Sequence, residues 1–354
     1  MKIGIFDPYL DDLGGGEKYM MTLAQCLSSD NLVTVFWDNQ EDLKKAAYRF
    51  SLDVSKIMLK NNIFSPNYPF FRRWLESLKY DALIILSDGG IPFVLSKKLF
   101  VHFQQPFPRV KISLKTNLKK MRVNSFFCNS LFTKSFVDKE FKINSKVIYP
   151  PVNIVNKKNN KENIILHVGR FRTINVVSED YKKQEVMMDV FKKMIDEGIK
   201  GWKFVLAVGL HKDDELKFNQ LQKKAEGYPV NFLINLNNDE LSKIYSKSKI
   251  YWHASGYGEN LDKNPELAEH FGISTVEAMG SGAVPVVINA GGQKEIVVDK
   301  KSGYLWNSLE DFMEKTNVLI KDEKLLEKMS KEAVKRSGIF AGDRFCREVT
   351  DIIK

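Results

Sequence analysis

Cysteine is scarce in this chain, and long apolar runs are missing from it. The 354 residues include three cysteines, Cys26, Cys128 and Cys346, which stand far apart. An odd number of isolated cysteines disfavours a disulfide framework or a Cys-based zinc site, and we expect free thiols in a reducing compartment. No apolar run approaches the ~18 residues that span a bilayer, and charge interrupts the first residues too soon for a secretory leader. We therefore expect a cytoplasmic protein.

The sequence also lacks the short motifs of several enzyme classes. It contains no Asp-x-Asp, His-x-x-x-His or Cys/His spacing, so we expect no bound metal. The glycine loop at 13–18 is neither Gly-x-Gly-x-x-Gly nor followed by Gly-Lys-Ser/Thr, which disfavours a dehydrogenase and a P-loop kinase. No Gly-x-Ser-x-Gly elbow for acyl transfer occurs.

Composition is that of a globular protein with an excess of positive charge. Hydrophobic residues make up 44% and charged residues 28%, and this length favours two domains. Lys plus Arg number 54 against 44 Asp plus Glu, which favours anionic partners. A nucleic-acid-binding module would use such charge, but the lysines are spread along the chain and not gathered beside aromatic platforms. We expect no nucleic-acid partner.

Short apolar runs separated by helical patterns predict two parallel sheets in tandem. Between the two sets of runs, Pro150 and Pro151 break regular structure, and a polar stretch at 156–161 has the composition of a linker. The domains are predicted at 1–154 and 155–338, with a closing helix over 339–354. Ligands of such doubly wound α/β folds bind at the carboxyl ends of the strands, so we expect a cleft between the two domains. The predicted strands are 2–6, 32–37, 82–86, 99–103, 125–128 and 146–148, then 163–168, 203–208, 230–234, 249–252 and 284–288.

Two carboxylates eight residues apart form the most informative motif. Glu269 precedes a predicted helix start and Glu277 lies in its first turn, with Gly272 and Ile273 between them. Amides at a helix N-terminus favour an anion, and carboxylates beside them accept hydroxyl protons. A sugar joined to a diphosphate and a ribose needs that combination. The alternative is a capping box, in which Glu277 bonds the amide of an N-cap Ser274.

Cations and glycines at other loops fit the same ligand. Arg170 follows a strand and Lys182 opens a helix, so both are predicted to neutralise a departing diphosphate. The alternative is a solvated surface lysine, which we expect of Lys183. The loop containing Gly15 and Gly16 also opens a helix, where it either cradles an anion or only turns the chain.

His102 ends a predicted strand of the first domain and is predicted to point into the cleft. The alternative is a hydrogen-bonded structural histidine, as lone histidines at strand ends commonly are.

Together these residues resemble the retaining glycosyltransferases of family 4, which adopt the two-domain GT-B fold of two Rossmann-like domains. The resemblance covers essentially the whole chain. It rests on the Glu-x7-Glu pair in its Phe-Gly-Ile-x-x-x-Glu-Ala-Met context, on Gly169-Arg170-Phe171, and on Lys182. It is supported by the triple-glycine loop, Asn129-Ser130 and Tyr149-Pro150. The loop at 256–268 and the run at 173–183 depart from the commonest family pattern.

The resemblance assigns a role to each candidate residue. Glu277 would bind the ribose of a nucleotide sugar and Glu269 its hexose, while Arg170 and Lys182 would bind the diphosphate. Amides at the helix start would hold the distal phosphate, and the first domain would contribute phosphate contacts and a histidine near the reacting carbon. Those further residues are Phe271, Gly272 and Ile273 for the amides, Gly15 and Gly16 for the phosphates, and His102.

The resemblance also implies a reaction and its partners. A hexose, with mannose from GDP-mannose as the leading donor, would pass with retention to a glycan or a lipid-linked acceptor, without metal or other cofactor. A UDP-sugar of glucose, galactose or N-acetylglucosamine is the alternative donor. A GT-B phosphorylase or epimerase is the third possibility. The family's closing helix crosses back onto the N-terminal domain, here over 342–354.

Two basic stretches have amphipathic patterns. Residues 109–122 combine Leu114 and Leu118 with lysines, and residues 69–75 combine Phe70 and Phe71 with arginines. Such segments suit an anionic membrane surface that carries a lipid acceptor, which would make the protein peripheral to a membrane. The alternative is a solvated helix face with its apolar side packed inward.

Overall fold

The computed structural model describes residues 1–110, 113–154, 160–171 and 181–354. The chain forms two compact units, the first made of residues 1–151 and 342–354 and the second of residues 152–341. Most of the predicted linker at 156–161 and of the run at 173–183 lies outside the described residues. Within the described residues, no helix has both the length and the apolar character that crossing a membrane requires.

The first unit is built on a parallel sheet of seven strands in the order β3-β2-β1-β4-β5-β6-β7. Its central strands are buried along nearly their whole length, because helices cover both faces. The runs predicted at 2–6, 82–86 and 125–128 form strands over those same residues. The strands are β1 (Lys2–Phe6), β2 (Leu32–Phe36), β3 (Ile57–Lys60), β4 (Ala82–Leu86), β5 (Lys98–Phe103), β6 (Ser125–Cys128) and β7 (Lys146–Val147).

Helices lie on opposite faces of this sheet according to the direction in which the chain steps across it. The steps from β1 to β3 run one way along the strand order, and the steps from β3 to β7 run the other way. Because such crossovers are right-handed, the first two helices cover one face and the next three cover the other. The helices are α1 (Gly15–Ser28), α2 (Gln40–Phe50), α3 (Phe70–Ser77), α4 (Leu114–Lys120) and α5 (Leu131–Phe141).

The last helix, α13 (Gly342–Ile353), belongs to the first unit. It packs against α1 through an apolar stripe at helical spacing, in which Phe345, Val349 and Ile353 are buried. The Phe345 ring meets the edge of Tyr19 with centroids 4.8 Å apart. Burial of each large apolar side chain contributes about 1.5–3 kcal/mol, so the stripe holds the helix firmly to its unit.

A disulfide joins these two helices, which corrects the expectation of free thiols. Cys26 of α1 is bonded to Cys346 of α13, with Cα atoms 5.2 Å apart and 320 residues between them in sequence. The two cysteines are isolated in sequence, but the packing of the closing helix brings them together. Cys128 alone is a free, buried thiol.

The second unit has a parallel sheet of six strands in the order β10-β9-β8-β11-β12-β13. Its core includes stacked rings of Trp306 and Phe312 with centroids 4.5 Å apart, and Trp252 lies at the same distance from Phe312. The two sheets confirm the predicted doubly wound α/β class. The strands are β8 (Glu162–Phe171), β9 (Lys203–Leu210), β10 (Val230–Ile234), β11 (Ser248–His253), β12 (Val284–Ile288) and β13 (Tyr304–Trp306).

Where the structure describes the second unit, seven α-helices accompany its sheet. Two of them, which begin at Gln184 and Ile273, start just after the predicted site residues Lys182 and Glu269, so they position the candidate site. The helices are α6 (Gln184–Asp196), α7 (Glu215–Lys224), α8 (Asn238–Lys247), α9 (Ile273–Gly280), α10 (Gln293–Ile296), α11 (Leu309–Lys321) and α12 (Glu323–Ser337).

Candidate functional site

Two neighbouring strands of the second unit deliver polar side chains to one edge of the sheet. β8 runs to Phe171, three residues beyond its predicted end, so Arg170 is the next-to-last residue of the strand. β11 pairs with β8 and ends at His253. Carboxyl ends of parallel strands lie at the same edge, which is where ligands bind in open α/β sheets.

A buried ion pair lies at this edge. The Lys182 ammonium donates to Oε2 of Glu269 at 2.9 Å, and Nε2 of His253 lies 2.9 Å from the same oxygen. The side chains of Lys182 and Glu269 are 18% and 20% exposed, and that of His253 is 1% exposed. Lys182 and His253 thus contact the same carboxylate oxygen, although they lie 87 and 16 positions from Glu269 in sequence.

The electrostatics of this cluster keep its lysine charged and its carboxyl ionised. Burial works against both charges, but the Glu269 carboxylate outweighs it and raises the pKa of Lys182. Burial also opposes ionisation of Glu269, yet the Lys182 charge and the His253 hydrogen bond hold the pKa of this carboxyl well below its usual value. Burial lowers the pKa of His253, so its imidazole is neutral at neutral pH and donates through Nε2.

The N-terminus of α9 lies three residues after Glu269. Its N-cap is Gly272, whose φ of 120° is a conformation that L side chains rarely adopt, and a Cβ there would meet the Gln293 amide at 2.8 Å. The capping-box alternative for Glu277 is wrong, because the N-cap is Gly272, two residues before Ser274, and no side chain caps the helix. The Ser274 hydroxyl instead accepts a hydrogen bond from Tyr251 at 2.8 Å.

Glu277 is held by a tyrosine of the preceding helix. The Tyr245 hydroxyl of α8 donates to its Oε2 at 3.1 Å, and the tyrosine is buried. The backbone of Glu269 is fixed separately, since its carbonyl accepts from the Gly292 amide at 2.8 Å. Glu269 precedes α9, and Glu277 lies beyond the first turn in which it was predicted. Each is fixed by contacts with other elements of the second unit.

The two lysines that precede α6 both form ion pairs. Lys183 bonds Glu259 at 2.5 Å and its side chain is 12% exposed, so the expectation that it is a solvated surface lysine is wrong. Its backbone is left-handed at φ 56°, which turns the chain into the helix. The positive charge of Arg170 acts on the Lys182 ammonium, which places both predicted diphosphate ligands in one electrostatic neighbourhood.

In the first unit, the predicted glycines lie at the start of α1. The Gly14 amide donates to the Glu17 carboxylate, and the Gly16 carbonyl accepts from the Gln104 amide at 3.0 Å. A Cβ on Gly16 would stand 2.3 Å from the Gln104 side-chain oxygen, so any larger residue here would require that side chain to move.

His102 is buried in the first unit between two aromatic rings. Its ring lies 4.1 Å from that of Tyr19 and 4.5 Å from that of Phe127, and its Nδ1 is 3.1 Å from the Phe127 carbonyl. Burial lowers its pKa to about 3. Its Nε2 is buried without a partner among the described residues.

Of the predicted site residues, Lys182 and Glu269 are in contact, and the charge of Arg170 acts on Lys182. Phe271 and Gly272 precede α9, and Ile273 begins it. Three residues that sequence reasoning passed over complete the site: His253, Tyr245 and Tyr251. Only His253 carried a usable signal, because it follows the predicted strand at 249–252 directly, much as Arg170 follows the one at 163–168 after a single glycine. The tyrosines sit at ordinary core positions and nothing in their spacing marks them.

Several of the curated proteins that the chain is similar to are mannosyltransferases. The Xenopus laevis GDP-Man:Man(3)GlcNAc(2)-PP-Dol alpha-1,2-mannosyltransferase is 29% identical over 202 residues, which are 52% of this chain and 38% of that protein. The chain thus spans about two fifths of that relative's length. The Alpha-1,3/1,6-mannosyltransferase ALG2 of Dictyostelium discoideum is 25% identical over 100% of this chain and 98% of its own.

Solved structures share the fold, and a family model covers the second unit. The Anabaena Alr3699/HepE structure in complex with UDP and glucose has a TM-score of 0.73 at 16% identity, over 99% of this chain and 98% of its own. The predicted GT-B class is confirmed by this likeness. The model of the glycosyl transferases group 1 matches residues 153–336, which contain every carboxylate and cation of the site. The chain belongs to the glycosyl transferases group 1 family.

Proposed function

We propose that the protein is a retaining mannosyltransferase that moves mannose from GDP-mannose to a glycan or lipid-linked acceptor. The observation that carries this proposal is the convergence of Lys182 and His253 on one oxygen of Glu269. It gives a carboxylate that stays ionised beside a lysine that stays protonated. A sugar diphosphate needs both groups within a few ångströms of each other.

The two carboxylate oxygens of Glu269 are bonded differently, which supports a role for this residue in binding the hexose. Both hydrogen bonds from described residues end on Oε2, and Oε1 takes none from them. A fixed carboxylate with an available oxygen accepts hydroxyl protons of a sugar ring without reorganising when the ring binds. Glu277, held by Tyr245, would accept the ribose hydroxyls in the same way.

The departing nucleotide would be stabilised by protein cations. Arg170 and Lys182 supply positive charge in a partly buried setting, where a charge is worth more than in water. The amides of Phe271, Gly272 and Ile273 would add donors at the start of α9. We propose that these groups make a metal or other cofactor unnecessary, and that the hexose keeps its anomeric configuration.

A nucleotide panel tests the donor. Thermal shifts with GDP, UDP and ADP should single out GDP, since a ligand at about 100 times its dissociation constant stabilises by about 2.7 kcal/mol. A larger shift with UDP would replace mannose by the alternative UDP-sugar donors, glucose, galactose or N-acetylglucosamine. No shift with any of the three would contradict a nucleotide-sugar enzyme.

Variants test the site itself. Lys182→Ala should raise the barrier to nucleotide release by about 2–4 kcal/mol, as expected when a charge-stabilising group is lost, while the surface control Lys44→Ala changes nothing. Glu277→Ala should weaken GDP binding. Full turnover in both site variants would show that the assignment is wrong.

We also propose that the enzyme works in the cytoplasm as a peripheral protein on the inner face of a membrane. The support is the name of the Xenopus relative, whose substrate carries PP-Dol, together with the excess of Lys and Arg over Asp and Glu. In a reducing compartment the bond between Cys26 and Cys346 would be open. Fractionation of cells expressing the chain tests this, since recovery outside the cytoplasm and membrane fractions would contradict it.

A further inference from the structure

Two helices on one face of the first unit leave their apolar sides uncovered. In α4 no residue is buried, and Leu114, Leu118 and the following Met121 are 83%, 66% and 83% exposed. These positions are spaced by four and three residues, so they form one stripe. The alternative of an apolar side packed inward is therefore wrong for α4.

The helix α3 exposes a second apolar stripe. Phe70, Phe71, Leu75 and the following Leu78 are each at least half exposed. The Trp74 ring, which is half-buried, meets Phe70 at 5.1 Å and Phe93 at 5.4 Å. The aromatic stripe is thus ordered by its own ring contacts before anything covers it.

The two stripes lie on the same face of the sheet and near each other. The crossovers through α3 and α4 both step in the same direction along the strand order, which places both helices on one face. The segment before β5 contacts both: the Leu95 amide donates to Ser77 at the end of α3 at 2.9 Å. Arg122, just after α4, donates to the next carbonyl, that of Ser96, at 3.0 Å.

Basic side chains border this surface. Lys115 and Arg122 are exposed and Lys119 is half-exposed, and α4 contains no acidic residue. Arg72 of α3 is exposed and lies over the Phe71 ring at 5.9 Å. The one carboxylate of α3, Glu76, is paired with Lys79. None of these four cations, Arg72, Lys115, Lys119 and Arg122, forms an ion pair with another described residue. Apolar side chains bordered by such positive charge are complementary to an anionic lipid surface.

We propose that α3 and α4 together form a docking surface for an anionic phospholipid bilayer, the side chains of Leu114, Leu118, Met121, Phe70 and Phe71 entering the headgroup region. The proposal rests on the proposed function in one respect, since a lipid-linked acceptor gives the docking its purpose. The docking itself depends only on the surface.

Vesicle sedimentation tests the surface. The full chain should sediment with vesicles of equal parts phosphatidylcholine and phosphatidylglycerol at low salt, and should be released at high salt. Leu114→Ser with Leu118→Ser should abolish most binding, and Lys115→Glu with Lys119→Glu should weaken it by about five-fold or more for each charge lost. These residues are exposed or half-exposed, so the variants should fold as the parent does.

Matched controls separate location from bulk charge. Lys328→Glu with Lys331→Glu makes the same charge change on α12, and Leu216→Ser removes an exposed leucine from α7. Both controls should bind vesicles as the parent does. Equal losses in the control and test variants, or equal binding to pure phosphatidylcholine, would overturn the proposal.

Nucleotide binding keeps the two proposals distinguishable. The docking variants should retain the GDP thermal shift of the parent, because none of their residues lies in the second unit. A protein that sediments but binds no nucleotide would leave the surface standing and refute the proposed function. A protein that binds GDP but does not sediment with anionic vesicles would refute the docking surface and leave the proposed function standing.

Discussion

The pair Lys182–Glu269 should behave as a strongly coupled buried ion pair, and a double-mutant cycle measures this directly. Its atoms are 2.9 Å apart and its side chains are about four-fifths buried. Removing one partner of such a pair leaves an uncompensated buried charge, which costs about 3–5 kcal/mol. Lys182→Met and Glu269→Gln should each destabilise the second unit by about that amount.

The double variant should lose less than the sum of the two single losses. Once one partner is gone, removing the other relieves a buried charge, so we expect a coupling free energy of about 2–3 kcal/mol. Urea unfolding followed by tryptophan fluorescence suits the measurement, because Trp202, Trp252 and Trp306 lie in the second unit. A coupling below about 0.5 kcal/mol would refute the reasoning.

A surface pair provides the control for this cycle. Lys44 and Glu41 are 2.7 Å apart but 62% and 64% exposed. Solvent screening limits such pairs to a few tenths of a kcal/mol, so Lys44→Met and Glu41→Gln should be additive within error. Similar coupling in both cycles would mean that burial does not set the strength of the site pair.

Three further predictions concern charge and covalent structure. Burial and the Glu17 charge raise the pKa of Asp7 to about 8 in the folded protein. The folded state therefore loses stability as the pH rises from about 4 to about 8, because the unfolded chain ionises this carboxyl more readily. Asp7→Asn should raise Tm more at pH 8 than at pH 4, and equal Tm shifts would contradict this. Burial lowers the pKa of His167 to about 3 in the folded protein. Below about pH 6.5 only the unfolded chain takes up this proton, so the free energy of unfolding should fall by about 1.4 kcal/mol per pH unit. His167→Asn should flatten this dependence, measured as urea midpoints between pH 4 and 6. Cys346→Ser should cost about 2–4 kcal/mol of stability, and dithiothreitol should cost the parent the same but leave the variant unchanged in a thermal melt.

The strands were predictable because buried parallel strands are continuous apolar runs. The runs at 2–6, 82–86 and 284–288 coincide with β1, β4 and β12. Where a strand continues through polar residues, the pattern fails: β8 includes Gly169 and Arg170 because its ladder with β9 continues as far as Phe171. Local hydrophobicity carries no information about that pairing.

The site was predictable by residue type but not by contact. Chemistry and the family resemblance pointed to Glu269, Lys182 and Glu277, whereas the fold alone determines that His253 shares an oxygen with Lys182. The start of α9 was misplaced by two residues, since serine is a favoured N-cap residue and Ser274 was predicted for that position, which Gly272 occupies. The disulfide was missed because 320 residues separate its cysteines.

The chain passes from the first unit to the second after Pro151 and returns after Ala341. Val152 and Ala341 form an isolated β-bridge, and the Val152 amide donates to the Phe340 carbonyl at 3.0 Å, so the entering and leaving segments are neighbours. The second unit is therefore an insertion with adjacent ends, of the kind that can be excised or exchanged as a cassette. The first unit needs residues 342–354 as well as 1–151, so without α13 it would be incomplete, with the apolar surface of α1 exposed.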